Sequence, residues 1–236
     1  MDPAGSQGNR DPAGSTALRV SRVAVPKRAP HVRIVAIDGV GRFRLDAATV
    51  SALAIEEGRD IDARAARRIA DAAVRQDGRA TALRLLNRRL RSRTELAAAL
   101  RRRGTSGAVL QTLLAELTHA GWIDDARFAR AWVADRLALR PGGRRRLKAE
   151  LIAKGIARDL ADETIGAMLT PQAEEELALA QAGGRWRRLQ RLPPPVARRR
   201  LAGWLQRRGF GQPAIARALR NLEAGTTAEG HAEASE

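Results

Sequence analysis

The strongest chemical feature of this 236-residue chain is three short runs of arginine. They are Arg101-Arg102-Arg103, Arg144-Arg145-Arg146 with Lys148, and Arg198-Arg199-Arg200 with Arg207-Arg208. Closely spaced cations match phosphates along a nucleic-acid backbone or a nucleoprotein filament. Arg84, Arg88 and Arg91 add a basic stripe at i, i+4 and i+7, one face of a helix. Any single cluster is explained by a solvated surface, or by the preference of cations for helix C-termini. Their recurrence at matching places is what points to a common polyanionic partner. Since 40 of the 43 basic residues are Arg, a bias that genome composition also produces, the argument rests on net charge rather than on guanidinium chemistry.

Catalytic chemistry is poorly represented. His31, His119 and His231 fall at a predicted strand start, a helix end and the tail, without the paired spacing a metal needs. No phosphate-binding loop occurs. Asp124-Asp125 could be drawn as a metal-binding pair, as in a nuclease, but a helix cap followed by a first-turn acid accounts for both. With no cysteine there are neither disulfides nor thiolate metal sites. The expectation is a binding protein, not an enzyme, that needs no cofactor.

The elements that must carry the basic clusters are written in a threefold repeat. Leu96, Leu100 and Gly104 recur as Leu147, Leu151 and Gly155, then as Leu201, Leu205 and Gly209, offset by 51 and then 54 residues. Behind each glycine a second apolar pair follows: Leu114 and Leu117, Ile165 and Met168, Leu219 and Leu222. Ser92 with Glu95 forms a capping box, and each repeated glycine suits the left-handed position that ends a helix. A further helix precedes each pair: 82–90, 126–139 behind the cap Asp124, and one opening at Thr170-Pro171. Nine helices in three three-helix units result. Trp132 and Trp204 fit interhelical packing, Trp122 fits the seal of a helix C-terminus, and Trp186 is undecided.

Charge follows the repeats. Residues 80–223 hold 29 basic against 13 acidic residues, whereas 31–79 hold 9 against 8, so the positive field is assigned to the helical body. Ahead of it, Val32–Ile37 and Val40–Leu45 flank Asp38-Gly39, which predicts a β-hairpin with a type I′ turn. Asp46 and Asp60 or Asp62 then cap two short helices, the second ending before Asp77-Gly78 opens the first repeat. No run approaches the roughly 18–20 apolar residues of a membrane span, and no apolar signal core is present, so a cytoplasmic protein is expected.

The fold class is therefore mostly α: three tandem, helix-turn-helix-like repeats in an elongated arrangement behind a small hairpin-and-helix head. The boundaries are 1–30 without order, 31–79 head, 80–124, 125–169 and 170–223 for the repeats, and 224–236 a tail without order.

Arg91-Ser-Arg-Thr-Glu-Leu96, Gly121-Trp-Ile-Asp-Asp-Ala-Arg-Phe-Ala-Arg130 and Leu147-Lys-Ala-Glu-Leu-Ile-Ala-Lys-Gly-Ile156, in that order, resemble the motifs of the RecX family of recombination regulators. The third repeat follows the pattern less faithfully, with Gly183-Gly184 and Pro193-Pro194-Pro195 interrupting it. The resemblance implies a non-enzymatic, monomeric regulator of homologous recombination and repair, in the setting of the SOS response. Its partners would be the RecA recombinase, the RecA filament on single-stranded DNA and, secondarily, double-stranded DNA, with no membrane involved. It would limit filament growth, strand exchange and DNA-dependent ATP hydrolysis. Candidate contacts are Arg84, Arg88, Arg91, Arg101, Arg102, Arg103, Arg144, Arg145, Arg146, Lys148, Lys154, Arg207 and Arg208. The alternative is a general DNA-binding helix-turn-helix protein without a RecA partner.

Overall fold

The computed structural model describes residues 17–233. Two compact units are present among these residues: one joins 17–84 with Leu100–Leu113, and the other joins Leu85–Ala99 with 114–233.

The first unit opens with four antiparallel strands, β1 (Leu18–Ala24), β2 (Val32–Ile37), β3 (Gly41–Asp46) and β4 (Asp60–Ile61), in the order β3-β2-β1-β4. The predicted hairpin is β2 and β3, paired from Val32↔Asp46 to Ile37↔Gly41. Its turn is not type I′: Gly39 alone of the central pair has positive φ, 71°, and the Val40 amide donates to the Ile37 carbonyl at 3.1 Å, as in a type II turn. Asp46 caps α1 (Ala47–Ala52), its carboxylate accepting the Thr49 amide at 2.6 Å, and that bond lowers its pKa. Val20, Val35, Ile37 and Leu45 pack with Ile69 and Ala73 of α2 (Ala63–Leu86).

Two expectations for this region fail. Leu18–Ala24 is a strand inside the stretch read as lacking order; residues 1–16 lie outside the described ones. Period-2 alternation was hidden because the pairing slips between Val20 and Arg22, a bulge that puts an extra residue into the strand. The second head helix and the first repeat helix are also one uninterrupted α2, so the expected break at Asp77-Gly78 is absent; α2 ends at Leu86 instead of Leu90, which leaves Arg88 and Arg91 in the connection to α3 and not on one helical face with Arg84. Gly78 is buried there because a Cβ on it would stand 2.9 Å from Leu113 Cδ2 and 3.0 Å from Thr105 Oγ1. It is a close-approach glycine, not a breaker.

The repeats continue with α3 (Arg93–Arg101), α4 (Gly107–His119), α5 (Asp125–Leu139), α6 (Arg144–Ala153), α7 (Arg158–Met168), α8 (Pro171–Leu189), α9 (Pro194–Arg207) and α10 (Gln212–Glu233). All six repeated leucines are buried, at no more than 1% exposure. The three repeated glycines share φ between 81° and 89°, and behind each an amide returns to the inner leucine: Thr105 to Leu100, Ile156 to Leu151, Phe210 to Leu205. In the second unit α5, α6 and α7 enclose Phe128, Val133, Leu147, Leu151 and Ile165, while α8, α9 and α10 enclose Trp186, Leu201, Leu205, Phe210 and Ile215. Trp132 stacks on Phe128 at 6.0 Å, but Trp122 leaves 46% of its surface exposed and seals little.

Gly183-Gly184 lies within α8 and breaks nothing, because the helix is anchored on both sides by buried Ala182 and Trp186. The proline run instead starts α9, with Pro193 at its N-cap and prolines in its first turn. Pro lacks the amide that a first turn leaves unpaired, so it costs nothing there. Relative to its leucines α9 begins one turn earlier than α3 or α6. The tail expectation also fails as far as Glu233, where α10 ends; residues 234–236 lie outside the described ones.

A candidate interface and the joints that hold it

The basic candidates divide by what their side chains touch. Arg101, Arg102 and Arg103 are exposed at the end of α3, and Arg88, Arg145 and Arg207 are exposed elsewhere. None of these six makes a side-chain hydrogen bond or ion pair with another described residue. Arg84 is exposed and donates to Thr81 Oγ1 at 3.0 Å. Arg91 and Arg144 are half-buried.

The other four candidates are tied into the protein. Arg146 donates to Glu150 at 2.9 Å, Lys148 to Asp162 at 2.6 Å, Lys154 to Glu95 at 2.7 Å, and Arg208 to the Pro141 carbonyl at 2.7 Å. Register thus repeats the helices faithfully but not the work of the charges on them.

Lys154 and Arg208 mark two equivalent joints inside the second unit. At the first, the Ser92 hydroxyl accepts the Glu95 amide at 3.1 Å, as the capping box predicts, and donates to the Lys154 carbonyl at 2.6 Å. The reciprocal arm of the box is replaced: Glu95 receives Lys154 at 2.7 Å and Arg89 at 2.9 Å. Burial by itself would raise the Glu95 carboxyl, but the bonds from Lys154 and Arg89 outweigh it and hold its pKa below the ordinary 4.5. The Arg93 amide donates to Asp125 at 2.7 Å. Gly155 fits so closely that a Cβ would meet Thr94 Oγ1 at 2.2 Å.

The second joint repeats the plan with different chemistry. Gly143, 51 residues after Ser92, donates its amide to the Arg208 carbonyl at 3.0 Å, and the Arg145 amide donates to the Gly209 carbonyl at 3.1 Å. A Cβ on Gly143 would stand 2.2 Å from that Gly209 carbonyl oxygen. The Arg144 amide, counterpart of Arg93, donates to buried Glu174 at 2.9 Å, and the Gly211 amide shares the same oxygen at 3.2 Å. In both joints an acid from the first helix of one repeat takes the first-turn amide of the preceding repeat's second helix.

Asp124 and Asp125 are explained by this arrangement. Asp124 caps α5 by accepting the Arg127 amide at 2.8 Å, and Asp125 serves the first joint. Between the joints, Trp132 lies under Arg136 at 3.9 Å and Lys154 at 4.7 Å, and Glu150 takes Arg136 at 2.8 Å. Sequence reasoning missed both joints. Their signal was the recurrence of Ser92 as Gly143 and of Gly155 as Gly209 at the repeat offsets of 51 and 54 residues, which alone does not say which positions touch.

Models of the first, second and third three-helix domains of RecX match residues 79–117, 124–165 and 173–219. The chain is 40% identical over 147 residues to the regulatory protein RecX of Thermobifida fusca, covering 62% of this chain and 79% of that one. This chain belongs to the RecX family. It is 38% identical over 144 residues to the RecX of Mycolicibacterium vanbaalenii, covering 58% of this chain and 77% of that one. A crystal structure of regulatory protein RecX shares the fold at a TM-score of 0.69 and 21% identity, over 84% of this chain and 97% of that one. The RecX of Lactobacillus salivarius does so at 0.61 and 20%, over 64% and 97%. The family is one of regulatory proteins, and among the described residues no helix is long and apolar enough to cross a membrane.

Proposed function

We propose that this RecX-family chain binds RecA and its filament on single-stranded DNA and limits filament growth, strand exchange and the ATP hydrolysis that depends on DNA. The observation that carries the reading is the set of exposed arginines without partners among the described residues, Arg88, Arg101, Arg102, Arg103, Arg145 and Arg207, on repeats that belong to a family of regulators. Cations already paired inside a protein gain little from a phosphate, whereas unpaired ones release counterions on binding. Arg84, Arg91 and Arg144 join the contact set at its margin, while Arg146, Lys148, Lys154 and Arg208 act by shaping the surface. The reading is that of a protein that is no enzyme and has no cofactor, acting as a monomer in the cytoplasm.

Titrating the full chain into RecA hydrolysing ATP on single-stranded DNA tests this. Hydrolysis should fall, and an inhibitor working well below one copy per RecA acts at filament ends, whereas one working near saturation occupies the groove. An unchanged rate would favour a general DNA-binding protein. Replacing Arg101, Arg102 and Arg103 with Gln should flatten the salt dependence of affinity by roughly 0.7 per lost single-strand phosphate contact.

A further inference from the structure

We propose that the outer face of the head sheet is a second phosphate-backbone contact, made by Arg19, Arg22, Arg42 and Arg44. This inference rests on the nucleic-acid reading above and extends it to a segment that lies outside all three matched domain models. By count residues 31–79 are nearly neutral, with 9 basic and 8 acidic residues, yet the fold brings Arg42 and Arg44 from that stretch to one face of the sheet with Arg19 and Arg22 of β1, which precede it.

Strand pairing sets Arg22 opposite Ala36 and Ala36 opposite Arg42, while the next row runs Ala24, Ile34, Arg44. Buried Val20, Val35, Ile37 and Leu45 occupy the other face. Arg19 precedes inward Val20 and so faces outward. The slip in pairing between Val20 and Arg22 matters most: strict alternation from Val20 would turn Arg22 into the core, and the bulge turns it outward instead.

All four arginines are exposed, and none makes a side-chain hydrogen bond or ion pair with another described residue. Of the acids on this side, Asp46 on β3 is occupied with the Thr49 amide and Asp60 on β4 stands opposite Arg19 at the edge, which leaves Arg22, Arg42 and Arg44 as the uncompensated centre of the face. Arg42 and Arg44 lie about 6.6 Å apart along their strand, and Arg22 and Arg42 are separated by two strand spacings, about 10 Å. Such a grid spans several phosphates. Phe43 packs inward, so the face offers no aromatic platform for bases, and its floor is Ile34 and Ala36. Recognition is therefore of the backbone alone and indifferent to sequence.

The test uses the full chain and a labelled oligodeoxythymidine, with affinity followed by anisotropy across a salt series. Replacing Arg22, Arg42 and Arg44 with Gln should weaken binding by about ten- to one-hundred-fold at 0.1 M salt and flatten the salt slope by roughly two units. The Lys variants at the same positions should retain most of the affinity. Removing equal charge from α2, as Arg64→Gln, Arg67→Gln and Arg68→Gln, should cost several-fold less. An equal loss from both Gln triples, or none from the sheet triple in a protein that melts normally, overturns the proposal. A loss of RecA binding with DNA affinity intact also overturns it, identifying the face as a protein contact. If the Arg101–Arg103 variant loses affinity while the sheet variant does not, only the head contact fails; if neither does, the nucleic-acid reading fails with it.

Discussion

The two joints of the second unit solve one geometric problem with different materials. The first is made largely by side chains, with Ser92, Thr94, Glu95 and Asp125 meeting the end of α6. The second is made largely by backbone, Gly143 and the Arg145 amide lying against Arg208 and Gly209. Side-chain joints yield by rotamer changes and respond to pH and salt; backbone joints yield only when helices move. The more divergent third repeat is thus held by the less adjustable contact.

The largest expected effect separates the glycines. Gly209→Ala combines φ of 84° with a Cβ only 2.4 Å from the Arg146 amide nitrogen, and should cost about 3–5 kcal/mol in urea unfolding. Gly104→Ala has φ of 89° but meets nothing within 4 Å, and should cost about 1–2 kcal/mol. Equal losses would show that the joint adds no constraint beyond the helix end. Gly155→Ala should fall between them, and Thr94→Gly in the same chain should recover part of its loss; no recovery in a double-mutant cycle would break the side-chain description.

A smaller effect, in pH, reads the carboxylates of the first joint and its neighbour. Glu95 and Glu150 both have depressed pKa values, Glu150 because bonds from Arg146 and Arg136 outweigh burial. A depressed carboxyl stabilises the fold above its ordinary 4.5, and the gain is lost as pH falls through the lower folded value. Stability should decline below about pH 4.5, and Glu95→Gln should shrink that decline. A decline unaltered in Glu95→Gln would remove Glu95 from the account. The smallest effect is that of salt on stability: about 0.5 M salt should cost wild type no more than ~1 kcal/mol through the first joint, and Glu95→Gln should lose less.

Much of the helical body was legible because its signals are local. Leu96, Leu100 and Gly104 and their counterparts specify a buried face and a left-handed stop within nine residues, and Asp124 and Thr170 cap the helices that follow them. What failed depended on distant partners. Gly78 reads as a breaker until Leu113 and Thr105 are seen to need its missing side chain. Leu18–Ala24 reads as irregular because the bulge that turns Arg22 outward also breaks the alternation that marks a strand. The basic clusters were legible as residues and not as a site. Whether Lys154 or Arg208 is available to a partner depends on carboxylates and carbonyls about 60 residues away in sequence.

The early start of α9 bears on how many units such an array can hold. Arg93 and Arg144 stand three residues before Leu96 and Leu147 at the opening turns of their helices, and each gives its amide to the repeat that follows. Their counterpart by register, Arg198, lies one turn inside α9, behind Pro194 and Pro195, where its amide belongs to the helix. Gly104, at the opposite end of the series, presents open space. Contacts that join the end of one element to the start of the next are heterologous, and copies bearing both ends free would add to one another without limit. The extra turn withdraws one of the two ends: prolines without amides occupy the start of α9, and the Val196 and Ala197 amides go to the Pro193 carbonyl, so the first-turn donor that Arg93 and Arg144 offer has no counterpart there.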